Sequence, residues 1–233
     1  MVHVLLIFLS ALFAAEPAPE KLKLLRKIPH SGYSEGIDFH DGFLWHALPD
    51  AILKIDPKDG TVVERFKPAT EYSESLAWFQ GKLFELSFSD NSISIGTFVK
   101  KQLTFKRGGD TSEVHGWGIA HDGKSLIITG NYSPILYFLN PKTLKVERTI
   151  TAPVTALEDL AWDGEGIWSS SYTERRGQVF RINPKDGSVK KYFLLSEPEE
   201  CPVIDGTAWD GKALWVTGKH CPSIYQFKNP YLK

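Results

Sequence analysis

The chain has 233 residues, of which 42% are hydrophobic and 12% aromatic, so it is long and apolar enough for one large domain or two small ones. Its formal net charge is −1, and no Lys/Arg-rich run occurs. Binding to nucleic acid would need a basic face, so this charge balance argues against nucleic acid as the main partner.

The first segment, MVHVLLIFLSALFAAEPAPE, has an apolar run from Val4 to Phe13 that is followed by small residues. This run is shorter than the ~20 residues that a membrane-spanning helix needs. The pattern is typical of a secretory signal peptide over residues 1–15, so we expect residues 16–233 to be exported, either periplasmic or secreted, with no membrane association after cleavage. An uncleaved anchor or a misread start is the alternative.

One unit recurs along the rest of the chain: a short apolar run, a turn that ends in glycine, and a second apolar run. Its copies are GIDFHDGFLWHA (36–47), SLAWFQGKLFELS (75–87), GIAHDGKSLIIT (118–129), DLAWDGEGIWSS (159–170) and GTAWDGKALWVT (206–217). The turn glycines recur about every 39 to 47 residues, which is the period of a propeller blade.

Most units continue with a strand, an Asp/Asn-Pro-Lys turn and another strand, as in AILKIDPKDGTVVERF (51–66). Each unit therefore has four short antiparallel strands, A to D, and the sequence predicts an all-β, five-bladed β-propeller in a single domain. The fifth unit ends at SIYQFKNPYLK without a strand D. We expect KLKLLRKI (21–28) to supply it, so that an N-terminal strand closes the last blade and no edge stays exposed.

The residues just before the predicted A strands are mostly acidic. They are Glu35, Glu74, Trp117, Glu158 and Asp205. Because strand A lines the channel of a propeller, these side chains should form a ring at one channel mouth. The ends of the B strands lie on the same face and add Phe88, Tyr172 and Lys219. Four carboxylates at one mouth repel one another, so we expect raised pKa values, pairing with Lys219, or a bound cation.

Two cysteines fall on this same face. Cys201 precedes the fifth strand A, and Cys221 follows the fifth strand B. In an exported protein such a pair permits one disulfide, which would brace the rim near Lys219, and two free thiols are the alternative. Two cysteines alone cannot form a structural zinc site.

Several stretches resemble the glutaminyl-peptide cyclotransferases of the plant and bacterial type, which are five-bladed propellers. They are YSEGIDFHDGFLW (33–45), YSESLAW (72–78), GWGIAHDGKSLIITGNYSPILYFLNPKT (116–143), LEDLAWDGEGIWSSSYTERRGQVFRINPKDG (157–187) and IDGTAWDGKALWVTGK (204–219). The resemblance implies an acyltransferase that converts the N-terminal glutamine of a peptide or protein to pyroglutamate and releases ammonia. It implies no metal or other cofactor, whereas the acidic mouth leaves a divalent cation as the alternative.

The resemblance also implies catalytic roles. Glu74 matches the family's acid/base, which moves a proton from the α-amine to the leaving nitrogen. Lys219 matches a lysine that stabilises charge on the attacked carboxamide oxygen. Trp117 matches a tryptophan that walls the substrate pocket. His115, in VHGWG, also lies near the predicted mouth, where an ordinary loop histidine is the favoured interpretation and assistance to proton transfer is the alternative.

Other ring positions depart from the family. Glu35, Glu158 and Asp205 stand where the family has amides, and Phe88 and Tyr172 stand where it has tryptophans. An ionised carboxylate accepts hydrogen bonds but does not donate them, so the three acids bear on substrate preference and on activity itself.

Two functional classes follow from these residues. The main prediction is a monomeric cyclotransferase that acts on exported peptides or proteins. The alternative is a non-catalytic exported propeller whose acidic mouth binds a cation or a basic peptide, and a lyase or another hydrolase on the same scaffold is the remaining option. Glu74 with Lys219 favours the enzyme, whereas Glu35, Glu158 and Asp205 favour the binding protein.

Overall fold

The computed structural model describes residues 20–30, 33–111, 113–174, 177–194 and 201–232. The predicted signal peptide lies outside these residues. The described part of the chain consists of β-strands and turns, without α-helix. Accordingly, it contains no helix long and apolar enough to cross a membrane.

Five sheets radiate from a central channel, and each has a four-stranded antiparallel core. Blade one comprises β3 (Ile37–His40), β4 (Phe43–Leu48), β5 (Ala51–Ile55) and β6 (Val62–Phe66). Blade two comprises β7 (Ser73–Phe79), β8 (Lys82–Ser87), β9 (Ser92–Val99) and β10 (Gln102–Asp110). Blade three comprises β11 (Gly116–His121), β12 (Leu126–Gly130), β13 (Ile135–Leu139) and β14 (Val146–Thr151).

The remaining two blades include the N-terminal strands. Blade four comprises β15 (Leu157–Trp162), β16 (Ile167–Ser171), β17 (Gln178–Ile182) and β18 (Val189–Phe193), with the two-residue strand β1 (Glu20–Lys21) at its outer edge. Blade five comprises β19 (Val203–Trp209), β20 (Ala213–Lys219), β21 (Ser223–Lys228) and β2 (Leu24–Pro29). The predicted five-bladed β-propeller is confirmed.

The N-terminal segment closes the ring as predicted. Strand β2 pairs antiparallel with β21, and Ile28 lies opposite Ile224. The first residue of the predicted strand, Lys21, behaves differently, because it belongs to β1, which pairs in parallel with β18 of blade four. Leu22 sits between the two strands, is buried and donates its backbone N–H to Phe193 O at 2.8 Å. The chain therefore ties the outer edges of blades four and five together.

Tryptophans of the B strands pack between blades. Trp168 in β16 and Trp215 in β20 are fully buried. The indole Nε1–H of Trp168 donates to Asp163 Oδ2, and that of Trp215 donates to Asp210 Oδ2, each at 2.7 Å. These two aspartates belong to the repeated Asp-Gly turns. The same turn that connects strands A and B thus also satisfies the polar atom of the buried ring.

Candidate functional site

A β-bulge marks the start of the inner strand in four of the blades. The strand register shifts between Ser73 and Ser75, Gly116 and Gly118, Leu157 and Leu160, and Ile204 and Gly206. The residues inside these bulges are Glu74, Trp117, Glu158 with Asp159, and Asp205. A bulge leaves its extra residue unpaired and redirects the side chain, so the bulges place these groups at the channel mouth.

The inner strands converge closely just below the bulged residues. A Cβ atom on Gly118 would lie 2.3 Å from Glu158 O, and one on Gly206 would lie 2.7 Å from Glu35 O. The backbone of blade one also bonds directly to blade two, because Gly36 N donates to Glu74 O at 2.8 Å. Only glycine permits this approach, which brings the carboxylates of neighbouring blades together.

Lys219 lies at the centre of the acidic mouth. Its Nζ is 2.8 Å from Asp205 Oδ2 and 3.2 Å from Glu35 Oε2. The Tyr72 hydroxyl donates a hydrogen bond to the other oxygen of Glu35. Burial lowers the pKa of Lys219, but the charges of Asp205, Glu35 and Glu74 outweigh burial and raise that pKa above its ordinary value. Lys219 is therefore a fixed cation.

The glutamates of the mouth are buried and hold their protons strongly. Burial raises the pKa of Glu74 to about 8, with the Lys219 charge opposing this and Asp205 adding to it. Burial and the Glu74 charge raise the pKa of Glu35 to about 9. Burial and the neighbouring Asp205 raise the pKa of Glu158 well above its ordinary value. The structure thus bears out two of the expected outcomes, raised pKa values and pairing with Lys219.

Aromatic side chains form one wall of the mouth. The ring of Trp117 lies edge-to-face on Tyr132, with centroids 4.9 Å apart, and 6.4 Å from Tyr172. Tyr132 and Tyr172 are 6.1 Å apart in a third edge-to-face contact. Phe88 lies beside Tyr72, with ring centroids 5.6 Å apart, and is half exposed. All eight predicted site residues are therefore found on the face that carries the acidic mouth.

Sequence reasoning missed three tyrosines at this mouth. Tyr72 donates a hydrogen bond to Glu35. Lys219 Nζ lies 5.4 Å from the ring centroid of Tyr33, and Tyr132 completes the aromatic wall. The sequence did contain a signal for Tyr33 and Tyr72, because each begins a Tyr-Ser-Glu triplet, one at the start of blade one and one at the start of blade two. Tyr132 occupies the loop after β12, which corresponds to the loops that carry Phe88 and Tyr172.

The two cysteines form a disulfide, so the first of the two alternatives is correct. Cys201 precedes β19, Cys221 follows β20, and their Cα atoms are 4.5 Å apart. The disulfide therefore ties the segment before Asp205 to the loop after Lys219. His115 is exposed in the loop before β11, where its backbone has φ +51°, which suits the interpretation as a loop histidine.

A divalent cation was the alternative for balancing the acids. Within the part of the chain that the structure describes, no group of three or more His, Cys, Asp or Glu side chains is arranged to hold a metal ion. The cation found against Asp205 and Glu35 is the ammonium group of Lys219.

The chain is similar to proteins of known activity. Residues 3–229 match the family described as glutamine cyclotransferase. A glutaminyl-peptide cyclotransferase of Arabidopsis thaliana is 29% identical over 195 residues, which cover 76% of this chain and 59% of the relative. The chain thus spans about three fifths of the length of this curated relative.

Solved structures show the same fold. A glutaminyl cyclase of Myxococcus xanthus superposes with a TM-score of 0.74 and 18% identity, covering 90% of this chain and 97% of that one. A virginiamycin B lyase of Staphylococcus aureus superposes with a TM-score of 0.51 and 14% identity, covering 84% of this chain and 66% of that one. At these identities the structural likeness concerns the fold alone.

Proposed function

Because this chain belongs to the glutamine cyclotransferase family, we propose that it is a glutaminyl-peptide cyclotransferase. It converts the N-terminal glutamine of a peptide or protein to pyroglutamate and releases ammonia. One observation carries the proposal: Glu74, with a pKa of about 8, shares a buried mouth with the fixed cation Lys219.

The reaction needs one proton to move between two nitrogen atoms. The substrate's α-amine attacks the side-chain carboxamide carbon and forms the C–N bond of the ring, and the bond to the amide nitrogen then breaks. Glu74 takes the proton from the attacking amine and delivers it to the departing nitrogen, which leaves as ammonia. A peptide α-amine has a pKa of about 8, and Glu74 also has a pKa of about 8, so transfer of a proton between the two groups is close to neutral in free energy.

Lys219 supplies the positive charge. Attack on the carboxamide turns its oxygen into an oxyanion, and a fixed donor stabilises that charge most when it is already in position. The contacts with Asp205 and Glu35 hold the ammonium group of Lys219 at the mouth before substrate arrives. We assign oxyanion stabilisation to Lys219, so the reaction needs no metal.

Glu35 and Glu158 bind the substrate in their protonated form. Both are buried. The pKa of Glu35, about 9, keeps that acid neutral at pH 7, and burial with the neighbouring Asp205 raises the pKa of Glu158 well above its ordinary value. A protonated carboxyl group both donates and accepts a hydrogen bond, as a carboxamide does. The two acids therefore replace amides without loss of the hydrogen-bonding pattern. Trp117, Tyr132 and Tyr172 wall the space that the glutamine enters.

The disulfide also supports an exported enzyme. Disulfides such as Cys201–Cys221 persist in oxidising compartments, and the apolar N-terminal run suits export to the same place. Strand β2 completes blade five, so β21 has a hydrogen-bonded neighbour on both sides. We therefore propose that the enzyme works as a monomer.

The test is mass spectrometry of a glutamine-initiated peptide incubated with the purified protein. We expect loss of one ammonia, and a fall of kcat/KM by at least about 100-fold in Glu74→Gln. Glu71→Gln is the matched control, because Glu71 is exposed in the same loop and should retain activity. If the native protein releases no more ammonia than a heat-inactivated sample between pH 6 and 9, the proposal is wrong. A melting temperature that then rises with added calcium would favour the binding protein instead.

A further inference from the structure

A cavity of about 230 Å³ lies at the other end of the channel, where the inner strands finish. Its walls include Asp38, Phe39, His121, Trp162 and Trp209. The acidic mouth lies at the beginnings of these same strands, so the two sites are at opposite ends of the channel.

Asp38 breaks the fivefold repeat at this end. The corresponding residue of the other inner strands is alanine in every case: Ala77, Ala120, Ala161 and Ala208. The small alanine side chains leave space along the channel, and three of them line the cavity. The next residue is aromatic or histidine in every blade: Phe39, Trp78, His121, Trp162 and Trp209. The result is a cavity with one carboxylate among aromatic rings.

The carboxylate of Asp38 is held in place but has no cation. Its Oδ1 accepts from Phe39 N at 2.8 Å, and its Oδ2 accepts from Trp78 N at 2.6 Å. Each oxygen keeps a second acceptor position. Among the described residues, no Lys, Arg or His forms an ion pair with Asp38. Burial raises the pKa of Asp38 to about 7, which a bound cation would reverse.

Hydrogen bonds across the channel separate this cavity from the acidic mouth. Asp159 and Ser75 lie one residue deeper than the ring acids, and Ser75 Oγ donates to Asp159 Oδ1 at 2.5 Å. Asp159 also accepts from Ile37 N and Thr207 N. A molecule bound in this cavity therefore occupies a different site from a substrate bound at Glu74.

We propose that the cavity binds a small organic ammonium ion of about the size of choline. Asp38 would supply the opposite charge, and Phe39, Trp162 and Trp209 would supply aromatic faces for cation–π contact. Ca²⁺ or Mg²⁺ is a poor match, because each takes six or more oxygen ligands and this cavity offers one carboxylate. Binding of an ammonium ion in this cavity would not require cyclotransferase activity.

The test is isothermal titration of the intact protein with choline. We expect one site per chain, and at least tenfold weaker binding in Asp38→Asn, which keeps an acceptor for Trp78 N. Ala120→Leu leaves Asp38 intact and fills the cavity, so it should weaken binding as well. Far-ultraviolet circular dichroism and melting temperature establish that each variant is folded. If Asp38→Asn fails to fold, Ala120→Leu decides.

Two controls separate the other outcomes. The uncharged analogue 3,3-dimethylbutan-1-ol should bind at least tenfold more weakly than choline, and equal binding would show an apolar cavity only and overturn the proposal. Glu74→Gln should leave choline binding unchanged. If Glu74→Gln loses choline binding and Asp38→Asn retains it, choline binds at the acidic mouth and the proposal is wrong. The proposal is also wrong if the native protein does not bind choline.

Discussion

The hydroxyl of Ser75 donates a hydrogen bond to Asp159 Oδ1 over 2.5 Å, and this bond joins the inner strands of blades two and four. Asp159 Oδ2 accepts from Ile37 N at 2.9 Å and from Thr207 N at 3.0 Å, in blades one and five. Ser75 Oγ in turn accepts from Ile119 N of blade three at 3.1 Å. Two side chains therefore connect all five blades at the channel.

Asp159→Ala should lower the free energy of unfolding by about 3 kcal/mol or more, because it leaves buried donors of three blades without an acceptor. Asp159→Asn should cost less, since its amide oxygen still accepts one of these bonds. The measurement is urea unfolding. Glu165→Ala, an exposed acid in the same blade, is the control and should change stability by less than about 0.5 kcal/mol. Equal stability of Asp159→Ala and the native protein would contradict a structural role for the connection.

Stability should fall as the pH rises from 6 to 9. The folded-state pKa of Glu74 is about 8 and that of Glu35 is about 9, whereas an unfolded glutamate has a pKa of about 4.3. Between these values the folded protein binds protons that the unfolded chain has released. The contribution of each acid to the free energy of unfolding is therefore fully present below the unfolded-state pKa. It is lost as the pH rises towards and through the folded-state pKa.

The slope for one such proton is about 1.4 kcal/mol per pH unit, and the two acids titrate together. Urea unfolding at pH 6, 7, 8 and 9 measures it. Glu74→Gln should reduce the slope, because one proton-binding site of the mouth is removed. A free energy of unfolding that increases over this range would show that the mouth acids are ionised in the folded protein.

Lys219→Met should reduce kcat/KM for a glutamine-initiated peptide by about 100-fold, because the oxyanion loses its fixed positive charge. It should also raise the pKa of Glu74, whose ionised form Lys219 stabilises, so the acidic limb of the pH–rate profile should move to higher pH. Lys212→Met, in the exposed turn of the same blade, is the control. A lower rate without movement of the acidic limb would limit Lys219 to a role that does not involve Glu74.

Loss of the disulfide should lower both stability and activity. Cys201 and Cys221 are 20 residues apart, and closing a loop of this length contributes about 3 kcal/mol. Because Cys221 is two residues from Lys219, a looser rim should also reduce kcat/KM. The double variant Cys201→Ser/Cys221→Ser tests both effects, and dithiothreitol should affect the native protein but not the variant. A variant as stable as the native protein would show that the disulfide adds nothing to the closed ring.

The sequence by itself determined the architecture. The repeat period, the turn glycines such as Gly42 and Gly81, and the recurring Asn/Asp-Pro-Lys turns are local signals, because each depends on the backbone conformation of a few consecutive residues. The missing fifth strand D was also evident from the repeat, and so was the need for an N-terminal strand to replace it. Equivalent positions in the repeats then located Glu35, Glu74, Glu158 and Asp205 at one mouth.

Only the tertiary structure decided how these groups act. The bulge that redirects Glu74, the choice of Asp205 and Glu35 as partners of Lys219, and the raised pKa values all depend on how closely the five blades converge. The separation between the blades is set by packing between residues that are far apart in the chain, so no local sequence pattern predicts it. The same reason explains why the sequence left the disulfide open and placed Lys21 in blade five, although it pairs with blade four.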